Sequence, residues 1–232
     1  MVSAISLLSR IRSSLLVALT LYLSKPIRHG GSSESADLQS LAAVLLPGDV
    51  LLIDGNTRAA ALVRRMTRST WAHVAMYVGP LEEGTDPRCI VEADLVAGVR
   101  SVPLSKLKDL HVRVLRPTPL NDTDRRRLAD WVVSRIGDKY DLAHVWALGT
   151  RLLRLPLAER LSLPRSNGAQ ISSYFCSSLL AHAFLLVGYP ITTIRDCISD
   201  AATPDLQDVT PCDFESASIF HVVNPPSQEC HR

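Results

Sequence analysis

Four stretches between His73 and Pro117 restrict the folds open to this chain. They read "HVAMYVG" (73–79), "RCIVEAD" (88–94), "GVRSVPL" (98–104) and "HVRVLRP" (111–117). Each is rich in β-branched residues, and only short turns separate them, which describes an antiparallel meander. Another apolar strand, Val50 to Ile53, enters after the turn Pro47-Gly48-Asp49. Helical patterns surround this block. A short helix lies in "LAAVLL", and "NTRAAALVRRMTRS" places Ala59, Leu62, Val63 and Met66 at helical spacing. "LNDTDRRRLADWVVSRIG" has a capping residue at Asn121 or Asp122, an apolar stripe through Leu128, Trp131, Val132 and Ile136, and a stop at Gly137. Further helices are expected over Leu142–Leu153 and from Cys176 to Gly188, and a last strand at 218–224. Strands clustered in the middle with helices around them indicate an α+β domain.

The chain has 232 residues, enough to bury a sizeable core. Its net charge of +2 argues against a dedicated nucleic-acid binder. The charge is unevenly spread: the first 33 residues carry Arg10, Arg12, Lys25 and Arg28 and no acid, whereas residues 196–215 carry six acids and no base. "HGGSSESAD" (29–37) reads as a linker, so the expected plan is a basic, apolar helix over 1–28, the linker, a domain over 38–225 and a tail over 226–232. The uncharged run from Ser13 to Ser24 is too short to span a bilayer, which needs roughly 18 residues or more. Two readings stand: a helix lying on a membrane surface, and a helix packed on its own domain. The expected location is cytoplasmic, with membrane association and export both left open. Five widely spaced cysteines without a C-x-x-C pair read as free thiols, and neither a zinc site nor another metal or cofactor is expected.

If Val78 faces Pro87 across the hairpin, His73 faces Glu92 directly. Opposed Cβ atoms then lie about 4.5–5.5 Å apart, so Glu92 can accept a hydrogen bond from the imidazole. That leaves the second ring nitrogen for a nucleophile, the orienter–base half of a catalytic triad. The alternative is that both are ordinary strand residues. Cys176 begins an apolar helix whose stripe, Leu179, Leu180, Ala183, Phe184 and Val187, anchors it. At a helix N-terminus, unpaired N–H groups and the helix dipole favour the thiolate and offer donors to an oxyanion. The alternative is core packing. Cys89 sits in a strand, Cys197, Cys212 and Cys230 are read as loop or tail residues, and His182 projects from a different side of the cysteine helix.

"LLPGDVLLIDG", "STWAHVAMYVG", "IVEADLVAGVRSVPLSKL", "GDKYDL", "YFCSSLLAHAF" and "TPCDF" together resemble the permuted papain-like cysteine hydrolases. These form the YiiX-like branch of the NlpC superfamily, related to the lecithin–retinol acyltransferases. The matching blocks run from about Leu45 to Val223, with the histidine before the cysteine as in the permuted branch. The resemblance implies a circularly permuted papain-like fold, with Cys176 as nucleophile, His73 as general base and Glu92 as the orienting residue. "YFCSSLL" departs from the asparagine–cysteine–glutamate–histidine block of the acyltransferases, which favours hydrolysis. Tyr140, with Asp141 in the "YD" block, Trp71 and Tyr77 are candidate pocket residues; Tyr140-Asp141 is equally readable as a helix cap.

The expected activity is cleavage of an amide or ester through an acyl-enzyme, on a peptide, an isopeptide or a lipid acyl group. Alternatives are acyl transfer to a lipid and a catalytically silent binding protein of the same fold. "RLLRLPLAERL" (151–161) reads either as a second membrane-facing segment or as a loop covering the pocket.

Overall fold

The structure is a computed structural model that describes residues 21–26, 37–67, 69–94, 96–140, 173–174, 176–191, 206 and 209–223. The helix expected at Leu142–Leu153, the "RLLRL" segment, most of the N-terminal 28 residues and the tail lie outside these.

The elements in chain order are α1 (Leu38–Val44), β1 (Val50–Ile53), α2 (Arg58–Thr67), β2 (His73–Tyr77), β3 (Arg88–Asp94), β4 (Gly98–Pro103), a 3-10 turn (Leu104–Leu107), β5 (Val112–Pro117), α3 (Asp122–Val133), β6 (Lys139–Tyr140), β7 (Ser173–Tyr174), α4 (Cys176–Leu186), α5 (Pro211–Ser216) and β8 (Phe220–Val223). One six-stranded antiparallel sheet runs β4-β3-β2-β1-β5-β8, and β6 pairs with β7 in parallel. The fold is α+β, as expected, but the meander is displaced by one strand. It comprises β1 to β4, and β5 crosses to the far side of β1, pairing Val50 with Leu115 and Ile53 with Val112. The 3-10 turn after β4 breaks the local hairpin path.

"VLLI" is continuously apolar because β1 is buried on both faces. Val50 and Leu52 join Val74, Met76 and Leu115 under α3 and α4, while Leu51 and Ile53 join Ala75, Ile90 and Val114 under Leu41, Leu45 and Leu107. Phe184 of α4 packs edge-on against Phe220 at 5.2 Å between centroids, which ties the cysteine helix to the last strand.

The "PGD" turn has a structural explanation. Gly48 takes φ +90°, and the fully buried Asp49 receives Arg116 Nε at 2.9 Å, Arg116 Nη2 at 2.6 Å and the Leu46 N–H at 2.9 Å. A buried carboxylate is tolerated only when charge and lone pairs are both met. Here it joins the starts of β1 and α3 to the end of β5, since Arg125 also lies 3.7 Å away. Asn121 is the cap of α3, accepting from the Asp124 N–H at 2.9 Å. Cys212 is a correction: it lies in α5, not a loop. Thr210-Pro211-Cys212-Asp213 forms a capping box with proline at the helix start, a signal present in the sequence.

Candidate active site

The β2–β3 register differs from the expected one by two residues. Met76 pairs with Val91 and Tyr77 with Ile90, so Glu92 lies diagonal to His73 rather than opposite it. An even shift leaves every side chain on its original face. The contact therefore survives: His73 Nε2 lies 3.2 Å from Glu92 Oε2.

Met76–Val91 is the last pair of that ladder before His73. Even-numbered residues of β2 aim their N–H groups at β3, as Val78 does in donating to the Cys89 carbonyl at 2.9 Å. The Val74 N–H, next in this series, is directed at the Cys176 sulfur, as is the N–H of Ser177. Cys176 packs against the core layer under α4, whereas His73 shares a face with its β1 partner Ile53. The two side chains meet where the β2–β3 ladder has ended.

His73 is thus engaged by two acidic groups, Glu92 at Nε2 and the Cys176 side chain. Burial alone would disfavour its charge, but the Cys176 thiolate and the Glu92 carboxylate prevail and push its pKa up to about 10. Burial likewise opposes the thiolate. His73 and the two backbone N–H groups outweigh it and hold the Cys176 pKa below the usual thiol value. His73 keeps 25% side-chain exposure, so the site opens to solvent.

Sequence reasoning missed the other two partners of Glu92. Its Oε1 accepts from Arg100 Nε at 2.9 Å and from Lys106 Nζ. Burial raises the Glu92 pKa, but His73 and Lys106 outweigh this and hold it well below the carboxylate range. Arg100 also bonds Asp94 at 2.8 Å. Glu92–Arg100 is a cross-strand pair of β3 and β4, the one signal that "VEAD…GVR" offered in advance.

The cysteine helix is held from two sides. Ser177 Oγ donates to the Val209 carbonyl, and the short β7 before Cys176 pairs with β6. β6 is docked in turn on β4: Val99 N–H donates to the Asp138 carbonyl and Gly137 N–H to the Val99 carbonyl, both at 2.8 Å. Gly98, φ +75°, permits this approach, because a Cβ there would fall within 3.0 Å of the Asp138 oxygen.

The other candidates are placed differently. Tyr140 lies in β6 beside Tyr174, close in the chain to Cys176; its side chain and Asp141 lie outside the described residues. Trp71, 1% exposed, is a core residue stacked on His111 at 5.0 Å between centroids. Tyr77 is four residues along β2 from His73, about 13 Å by strand rise, and packs on the second core layer. His182 turns back on its own helix, Nδ1 donating to the Ser178 carbonyl at 2.7 Å. Among the described residues, Cys89, Cys176 and Cys212 are free thiols, and no group of three or more His, Cys, Asp or Glu is placed to hold a metal ion.

Residues 44–151 match the family model described as permuted papain-like amidase enzyme, YaeF/YiiX, C92 family. The cysteine helix lies beyond the matched residues. Among solved structures, the fold is similar to that of the metalloprotein YiiX from Escherichia coli O157:H7, with a TM-score of 0.50 and 17% identity. The alignment covers 78% of this chain and 97% of that one. No curated protein matches the chain. Over residues 44–151 the chain is therefore similar to the permuted papain-like amidases of the YaeF/YiiX family, and as a whole it shares the α+β fold of YiiX.

Proposed function

We propose that this chain is a cysteine hydrolase that cleaves an amide or ester bond through an acyl-enzyme, with Cys176 as nucleophile, His73 as acid–base and Glu92 as orienting residue. The observation that carries this reading is the position of His73, bonded to Glu92 at 3.2 Å and paired with the sulfur at the start of α4. The resting state is a thiolate–imidazolium pair. The thiolate attacks the substrate carbonyl, and the oxyanion is met by N–H groups at the start of α4, including that of Cys176. The tetrahedral adduct collapses as His73 gives its proton to the departing amine or alkoxide. His73, now neutral, draws a proton from water, which attacks the thioester; the acid departs and the thiolate–imidazolium pair is restored.

The substrate is a peptide or isopeptide amide, or a lipid acyl group. Cys176→Ala abolishes labelling by a thiol-directed acyl probe and abolishes turnover in a screen of amide and ester substrates. Undiminished labelling and turnover in that variant refute the assignment.

A further inference from the structure

β1 ends at Ile53, opposite His73 at the start of β2, so the connecting helix α2 sits at the His73 end of the sheet. The turn from Asp94 to Gly98 lies at this end too, while the 78–87 loop lies at the other. Residues 21–26 are docked here. Pro26 bridges Thr57, the Arg58 N–H donates to the Lys25 carbonyl at 3.1 Å, and the Arg58 guanidinium lies 4.1 Å over the Tyr22 ring.

This docking joins two acid-free stretches of the chain. Residues 1–33 carry four cations and no acid, and residues 55–81 carry Arg58, Arg64, Arg65 and Arg68 and no acid. Leu21 and Tyr22 are 54% and 53% exposed at the junction, and Lys25 and Arg65 are exposed beside them. Two carboxylates at this end face donors of the protein: Asp54 accepts the His111 N–H, and Asp94 accepts the N–H groups of Val96 and Ala97 and bonds Arg100, while Asp109, before β5, is exposed. The far loop carries Glu82, Glu83 and Asp86. The His73 end thus presents Lys25 and Arg65 beside the exposed Leu21 and Tyr22, whereas in the far loop the three acids outnumber Arg88, which pairs with Glu82.

We propose that the His73 end of the sheet docks on an anionic lipid bilayer through residues 21–26 and α2, so that the site opens towards the membrane. Apolar side chains beside cations suit the interface of such a bilayer, and the acidic 78–87 loop faces away from it. That the docked end holds the reacting groups rests on the Cys176–His73 reading above; the docking itself does not.

The full chain is mixed with vesicles of phosphatidylcholine, alone or with phosphatidylglycerol, and followed by flotation and hydrogen exchange. Binding to the phosphatidylglycerol vesicles, weakened by salt, with slowed exchange over 54–67 and unchanged exchange over 80–87, supports the proposal. Lys25→Gln with Arg65→Gln lowers the partition coefficient about thirty-fold, with the thermal unfolding midpoint as control for folding. Equal binding to both vesicle types, protection at 80–87, or retention on RNA without vesicle binding overturns it. Acyl-probe labelling of the lipid-free protein tests the triad separately: its loss with protection intact removes the catalytic reading and leaves the docking.

Discussion

Gly98→Ala tests how the cysteine is held in place. An alanine there must adopt φ +75°, a left-handed conformation costing about 1–2 kcal/mol. Its Cβ would also fall inside 3.0 Å of the Asp138 carbonyl oxygen, 3.3 Å from that carbonyl carbon and 3.4 Å from Lys139 Cα. These are backbone atoms, so β6 has to withdraw. Withdrawal breaks the Val99–Asp138 and Gly137–Val99 bonds, worth about 1 kcal/mol each. The expected destabilisation is about 3–4 kcal/mol. Gly137→Ala is the calibrating variant, since Gly137 has φ +100° but nothing within 4 Å of its Cβ position, and it costs only the left-handed term. Urea unfolding of both variants isolates a steric difference of about 2 kcal/mol. Because β6 pairs with the β7 strand preceding Cys176, Gly98→Ala alone also slows acyl-probe labelling well below the unfolding transition. Equal costs for the two alanines, or unchanged labelling, refute the reasoning that β4 positions the cysteine through β6.

Cys176 alkylation should follow the ion pair. Reactivity rises with pH at a value below the ordinary thiol 9.0, and the imidazolium persists until His73 titrates near 10. For stability, the raised His73 contributes fully below its unfolded 6.5 and is lost as pH rises through about 10. The lowered Cys176 contributes fully above its unfolded 9.0 and is lost as pH falls through its folded value. An alkylation profile centred at the free-thiol value counts against the pair. Glu92→Gln removes the carboxylate between His73, Arg100 and Lys106; we expect about 2 kcal/mol lost in urea unfolding, kcat reduced more than KM is changed, and the upper pH limb moved to lower pH. An unmoved limb assigns Glu92 a structural role only.

The sequence by itself determined the α+β class, the places of the main strands and the caps, because these depend on local rules. Alternation of period two set the faces, Asn121 capped its helix, and a continuous apolar run announced a doubly covered β1. The proposed site was half legible. The even spacing that places His73 and Glu92 on one face holds in any register displaced by two residues, so their contact followed without the true register.

Only the tertiary structure decided the rest. An eight-residue loop does not set hairpin register, and local pattern does not say that β5 passes β4 to pair with β1. Lys106 reaches Glu92 from the 3-10 turn after β4, a meeting of residues 14 positions apart that no periodicity encodes. The cysteine depends on contacts more distant still. Cys176 is more than a hundred residues beyond His73, and they meet because the β2–β3 ladder stops at Met76–Val91 and leaves the Val74 N–H directed at the sulfur. Which residue types were present was local information. Where the strand pairing ended, and therefore where a thiol met an imidazole, was a property of the assembled sheet and the helix packed on it.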